Sequence, residues 1–346
     1  MCAKFLVTFI TFTFVLLTLC HAQEYKALQS GAAKLTGPYL GQKPPGVKPV
    51  LFAVGVMSTM YHEHSFPSFS PDGKEVFWLS YPIGNYVYNY TPKVLYMRMQ
   101  NGVWSSPEYP SFAKGIECGE AFFSYDGRRV FFSSATQIAT EERKGKTKRD
   151  IWITERTPCG WSVPVNIGAP VNTEKNEGQP TVTEDLTLYY CGHLEEVKNN
   201  YGIFRSRFIN GQYAEPEPLP KTINSEAVDW TPFISRDESY LLWSSTREGG
   251  YGSGDLYVAF RSKDDTWTDA INLGPTINER FNERYPYVSP DGKYLFFITD
   301  KINKKLVENT ELSFREIIEI YNNAGNGWSD IYWVDARIIE ELRPKE

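Results

Sequence analysis

The chain has 346 residues, of which 41% are hydrophobic, 15% aromatic and 23% charged, with 26 Gly and 22 Pro. That is too apolar and aromatic for a disordered chain, and long enough for one large or two ordinary domains. With 36 Lys and Arg against 42 Asp and Glu the net charge is −6, so no excess positive field exists to draw nucleic-acid phosphates or an anionic membrane.

In chain order, Met1 to Lys4 is a short basic start, Phe5 to Leu19 an apolar run, and Cys20-His21-Ala22 a small-residue end. This predicts a secretory signal over 1–22, cleaved after Ala22, and a periplasmic or extracellular location. The apolar run is shorter than the roughly 20 residues a membrane span needs, so no transmembrane segment is expected in the mature chain. Leu17-Thr18-Leu19-Cys20 leaves lipid attachment at Cys20 as an alternative. Residues 23–47 read as an N-terminal extension. Cys118, Cys159 and Cys191 then remain, an odd count at irregular spacing that predicts buried free thiols over a disulfide framework.

A repeat organises residues 48–340. Five similar segments begin at Pro67, Ala121, Pro180, Pro232 and Pro286: PSFSPDGKEVFWLS, AFFSYDGRRVFFSS, PTVTEDLTLYYCG, PFISRDESYLLWSS and PYVSPDGKYLFFIT. Each is a short run, a polar turn and a β-branched or aromatic run, the signature of a hairpin. Asp72-Gly73, Asp126-Gly127 and Asp291-Gly292 suit turns that need positive φ. A third strand follows each hairpin (94–99, 150–155, 202–207, 255–260, 330–336), and four units continue to a fourth near Trp104, Trp161, Tyr213 and Trp267. Four antiparallel strands at this period describe a β-propeller blade. The fifth unit lacks its fourth strand, and Pro49–Thr59 has the right pattern to supply it. The expectation is an all-β, five-bladed β-propeller closed by its N-terminal strand, with a tail over 341–346.

PSFSPDGKEVFW and PYVSPDGKYLFF resemble the PD40 (WD40-like) repeats of TolB-type β-propellers. The resemblance spans about residues 48–340 and implies a propeller in the cell envelope. TolB-type proteins add an N-terminal α/β domain and usually have six blades; five blades are counted here.

Second-to-third loops and blade-to-blade connections share one face, and they hold the irregular chain: Tyr81–Lys93, Thr136–Lys148, His193–Asn200, the glycine-rich Thr246–Gly254 and an insertion over 301–329. Leu312, Ile317, Ile318 and Tyr321 at helical spacing predict a short helix near 310–322, packed as an insertion or acting as a lid. Rigid strands that fix variable loops place recognition on this face.

Three residues before each hairpin stand His64, Cys118, Glu177, Asp229 and Glu283, with His62, Glu63, Glu117, Glu120 and Arg284 nearby. Carboxylates gathered at a channel mouth suit general acid and base work on a glycoside, with Glu120, Glu177, Asp229 and Glu283 as the candidates. Holding a hard cation such as Ca²⁺, or capping strand ends, are the alternatives. Asn172-Thr173, Asn224-Ser225 and Asn278-Glu279 recur, which favours a structural turn. His62, His64 and His193 all fall on this face and could share a divalent metal ion. Tyr61, Glu63, Trp230, Arg247, Tyr251 and Arg284 are candidate ligand contacts. No G-x-S-x-G motif and no phosphate loop occur. The expected function is a monomeric propeller binding a glycan, or an envelope protein or peptide, with no nucleic-acid role. A carbohydrate-active hydrolase or metal-assisted lyase is the alternative, because propellers host both.

Overall fold

The computed structural model describes residues 35–81, 93–135, 148–197, 201–309 and 311–345. The expected leader and most of the loops 81–93 and 136–148 lie outside them. The five hairpin segments form five antiparallel sheets, here blades I to V. Their inner, second and third strands are Ser68–Phe69, Glu75–Tyr81 and Lys93–Gln100 in blade I, and Ala121–Phe123, Arg129–Ser134 and Asp150–Thr157 in blade II. Blade III uses Gly178–Val182, Leu188–Gly192 and Gly202–Ser206; blade IV, Asp229–Ile234, Tyr240–Ser245 and Asp255–Phe260; blade V, Arg284–Val288, Tyr294–Thr299 and Asp330–Asp335. Short fourth strands complete each sheet. In blade V the fourth strand is Val50–Leu51, with Val50 opposite Trp333 and Leu51 opposite Tyr332. The protein is a five-bladed β-propeller whose first strand seals the last blade.

The hairpin turns explain the repeat. Ser70 donates its hydroxyl to Asp72, and the Asp72 carboxylate accepts the Lys74 N–H at 3.1 Å; Ser289, Asp291 and Lys293 repeat this in blade V. The residue after each Asp sits at positive φ, which glycine takes without a Cβ clash at Gly73, Gly127 and Gly292. Leu186 and Glu238 adopt it in blades III and IV without that relief.

Between blades, the recurrent Asn residues are structural. Asn172 accepts the Ile151 N–H at 2.8 Å and donates to the Ile151 carbonyl at 2.8 Å, and Asn224 and Asn278 do the same to Ile203 and Leu256. Ser58 makes the equivalent pair of bonds to Ile331 across the closure.

Aromatic rings plug the channel: Phe66 stacks on Tyr287 at 5.4 Å, and Phe122 and Phe233 meet Tyr287 edge-on. The mouth is therefore a bowl with a floor. The insertion carries two helices, Lys304–Glu308 and Phe314–Tyr321, the second opened by a capping box between Ser313 and Glu316. Of its apolar residues only Ile320 is buried, while Phe314, Ile318 and Tyr321 face outwards. No helix among the described residues is long and apolar enough to cross a membrane. Cys118 and Cys191 are buried free thiols, but Cys159 is exposed at a hairpin tip, against the expectation for all three.

Candidate functional site

The bowl is built by an irregularity repeated in the inner strands. Gln179, Thr231 and Tyr285 each precede a proline and sit at φ 57°, 54° and 53°. The strand register shifts at each, between Gly178 and Thr181, Trp230 and Phe233, and Arg284 and Tyr287. Positive φ at a non-glycine residue costs about 1–2 kcal/mol and marks sites where the fold holds a side chain in an unusual direction. By position, Glu120 of blade II and Phe66 of blade I belong to the same ring.

These residues bond to one another across the bowl. The Tyr285 hydroxyl donates to Glu120 Oε1 at 3.0 Å, and the Thr231 N–H donates to Gln179 Oε1 at 3.0 Å. The Tyr285 N–H reaches Thr231 Oγ1 at 3.2 Å. Ser133 donates to the second Glu120 oxygen at 2.5 Å, and Arg149 reaches both Ser133 (3.2 Å) and Glu117 (2.5 Å). Burial alone would lower the pKa of Arg149, but Glu120 and Glu117 outweigh it and raise it. A Cβ on Gly119 would lie 2.2 Å from Ser133 Oγ and 2.6 Å from the Arg149 guanidinium, so this cluster closes only over a glycine. The resulting cavity, of about 260 Å³, is also lined by His64, Tyr81, Glu177 and Tyr201.

The histidines form a relay. The Ser329 N–H donates to His62 Nδ1 at 3.3 Å, and His62 Nε2 lies 3.1 Å from His64 Nδ1. Burial, with the Arg284 charge second, lowers His62 to about 4 and His64 well below its ordinary value, so both are neutral at pH 7. With His62 Nδ1 accepting, its proton sits on Nε2 and is donated to His64. His64 therefore carries its own proton on Nε2 and offers a donor to a ligand.

Most of the expected carboxylates do other work. Glu177 accepts from Thr173 Oγ1 at 2.6 Å and Thr173 N–H at 3.1 Å, and Asp229 from Ser225 Oγ and N–H at 2.6 and 2.8 Å. Asp229 also takes Trp243 Nε1 at 3.0 Å. Glu283 accepts from Thr299 Oγ1 and the Glu279 N–H, and burial pushes it up to about 8. They cap the blade entries. In blade I this place belongs to Glu63, bonded to Thr59 Oγ1, and not to His64: one extra residue between Glu63 and Pro67 moves His64 to the bowl.

Of the ligand candidates, Arg247 is bound to Asp229 and to the Thr222 and Ile223 carbonyls, which makes it framework. Trp230 packs against the core of blades III and IV. Arg284 donates to Ser329 Oγ beside the histidine relay, and Tyr61 donates its N–H to Thr59 Oγ1. Tyr251 is half exposed in a loop where Gly250, Gly252 and Gly254 are sites of close packing: a Cβ at Gly252 would meet the Phe281 carbonyl at 2.0 Å. His193 is not brought to His62 and His64; it lies beside Glu195 at 3.7 Å, in a separate cavity. Among the described residues no three His, Cys, Asp or Glu side chains converge on a metal position.

Sequence reasoning missed Arg149, Gln179, Ser133, Tyr201 and Tyr285. For Gln179 and Tyr285 the signal was one residue before the hairpin proline, not three; Ser133, Arg149 and Tyr201 stand at no such position.

No family model and no curated protein matches the chain. Solved structures of similar fold include an α-L-arabinofuranosidase from Lactobacillus brevis (12% identity, TM-score 0.41, covering 80% of this chain and 90% of that one). A GH43 endo-arabinanase from Bacillus licheniformis (13%, 0.44, 78% and 92%) and a β-fructofuranosidase catalytic domain from Microbacterium saccharophilum K-1 (12%, 0.45, 79% and 80%) are also similar. Likeness at this level concerns chain architecture and carries no activity.

Proposed function

We propose that the bowl binds a carbohydrate, on a protein exported to the periplasm or cell exterior. The observation that carries this is the meeting of rings and polar groups in the lining of one cavity: Tyr81, Tyr201 and Tyr285 with Glu120, Arg149 and the His64 donor. A sugar presents apolar faces and hydroxyls that both donate and accept, so it needs flat side chains beside fixed donors and acceptors. Glu120 is the central group, since it lines the cavity, whereas the capping acids Asp229 and Glu283 are turned to the blade entries. The PD40-like repeats agree with an envelope location.

The test is retention of the mature protein on a panel of immobilised polysaccharides. Glu120→Gln should weaken retention roughly tenfold or more, the worth of a hydrogen bond to a charged group, with unfolding unchanged. Equal retention would remove Glu120 from the site. The second reading is glycoside cleavage, favoured by Glu117 and Glu120 flanking Arg149 beside a neutral His64. Release of reducing ends from a retained polysaccharide, lost in Glu120→Gln, selects it.

A further inference from the structure

Adjacent blades meet through a repeated pair of acids. The third strands of blades II, IV and V begin with Asp150, Asp255 and Asp330. In the next blade, Glu177, Glu283 and Glu63 donate their backbone N–H to the carbonyl just before that Asp: to Arg149 at 2.9 Å, Gly254 at 2.7 Å and Ser329 at 3.0 Å. The three seams are thus equivalent in backbone but not in how the acids are satisfied. Asn166 donates its amide to Asp150 at 2.7 Å, and Asn272 donates to Asp255 at 2.7 Å. Those Asn residues stand opposite Trp152 and Tyr257, two residues past the Asp. In the closing blade the matching position, opposite Tyr332, is Leu51, which has no amide to give.

The consequence is visible in the buried polar atoms. Asp330 keeps the Gly325 N–H on Oδ2 at 2.6 Å, and Glu63 keeps Thr59 and Ser80 hydroxyls on Oε1. Asp330 Oδ1 and Glu63 Oε2 are enclosed without a hydrogen-bond partner among the described residues, and both side chains belong to residues 0% exposed. A buried acceptor left unmade carries its whole desolvation penalty, and the partner these two oxygens lack is the one that Asn166 and Asn272 supply to the sister seams.

We propose that the seam between blades V and I is a cation site, in which Glu63 Oε2 and Asp330 Oδ1 together hold one hard divalent cation of the Ca²⁺ class. Two carboxylates balance its charge, and oxygen is the only donor type such an ion requires. The Thr59 and Ser80 hydroxyls are neutral oxygens at hand. Burial pushes both carboxyls up, Asp330 to about 7, and the Asp330 charge pushes Glu63 up further, so the two carboxyls feel each other's charge across the seam. The cation pins the seam where the chain's first strand closes the ring.

The experiment is thermal unfolding of the chelator-stripped mature protein with added CaCl₂ or MgCl₂, together with equilibrium dialysis against Ca²⁺. The expected result is one Ca²⁺ per chain and a rise in Tm on the order of 5 °C at roughly a hundredfold excess over Kd, smaller with Mg²⁺. Glu63→Gln and Asp330→Asn should abolish both. Leu51→Asn restores the amide of the sister seams and should fold without Ca²⁺ and stop responding to it, which decides the matter if an acid variant fails to fold. No Ca²⁺ uptake by the wild-type chain, or an undiminished response in Leu51→Asn and the acid variants alike, overturns the site.

Discussion

Two rings of side chains leave the inner strands of this propeller three residues or fewer apart, and they have opposite fates. The entry ring of Glu63, Glu177, Asp229 and Glu283 turns back onto the connections, where Thr59, Thr173, Ser225 and Glu279 hold it. The ring just before the hairpins, with Glu120, Gln179, Thr231 and Tyr285, turns into the bowl and bonds to itself. Charge alone does not mark a site here. The carboxylates that recur from blade to blade serve the architecture, whereas the inner ring differs in every blade, which is what the proposed ligand site requires.

The contrast breaks most sharply at Asp229. Its carboxylate receives Arg247 at 2.8 Å, Trp243 Nε1 and two bonds from Ser225, and it is buried. Asp229→Ala leaves the Arg247 guanidinium without its buried partner, and a loss of about 3–5 kcal/mol in urea unfolding is expected. A loss below about 1 kcal/mol would put Asp229 outside the framework.

Titration tests the same ring. Glu283 has its pKa raised by burial from 4.5 to about 8 in the folded state. The folded state thus holds a proton that the unfolded chain releases at lower pH. The stability this group contributes is complete below about pH 4.5 and is lost as pH rises through 8. Summed over that shift the loss is on the order of 5 kcal/mol before screening. His62, lowered to about 4 by burial and Arg284, acts in the opposite sense and weakens the fold as pH falls from 6.5 towards 4. Glu283→Gln isolates the first effect: its unfolding free energy should decline less than the wild-type value between pH 5 and pH 9. Parallel curves would show that Glu283 titrates normally.

The architecture was legible in the sequence because the propeller repeats its physics. Five Ser/Thr-x-Asp turns and five aromatic second strands recur at nearly one period, and the strand around Leu51 carries the pattern the last blade lacks. The bowl was less legible because nothing repeats there. Counting a fixed offset from each hairpin led to the capping acids, and the single added residue in blade I made His64 look like one of them. Arg149 was invisible for a different reason: it borders a loop, and only the fold brings it to Ser133 and Glu117. The grouping of His62 with His64 was readable from their spacing; His193 comes from blade III, which is not a neighbour of blade I, and it lies apart from them.

The smallest effect sharpens the boundary of the bowl. Tyr251 is 50% exposed, and its loop is fixed through backbone: the Tyr251 and Gly252 N–H groups bond to Asp255 at 2.7 and 2.9 Å. The side chain adds little to that anchoring, so Tyr251→Ala should change stability by less than about 0.5 kcal/mol. If the ligand is confined to the cavity around Glu120 and His64, polysaccharide retention should also be unchanged. A several-fold drop at unchanged stability would mean that the bound chain runs outward over blade IV, with Tyr251 as a stacking platform beyond the inner ring.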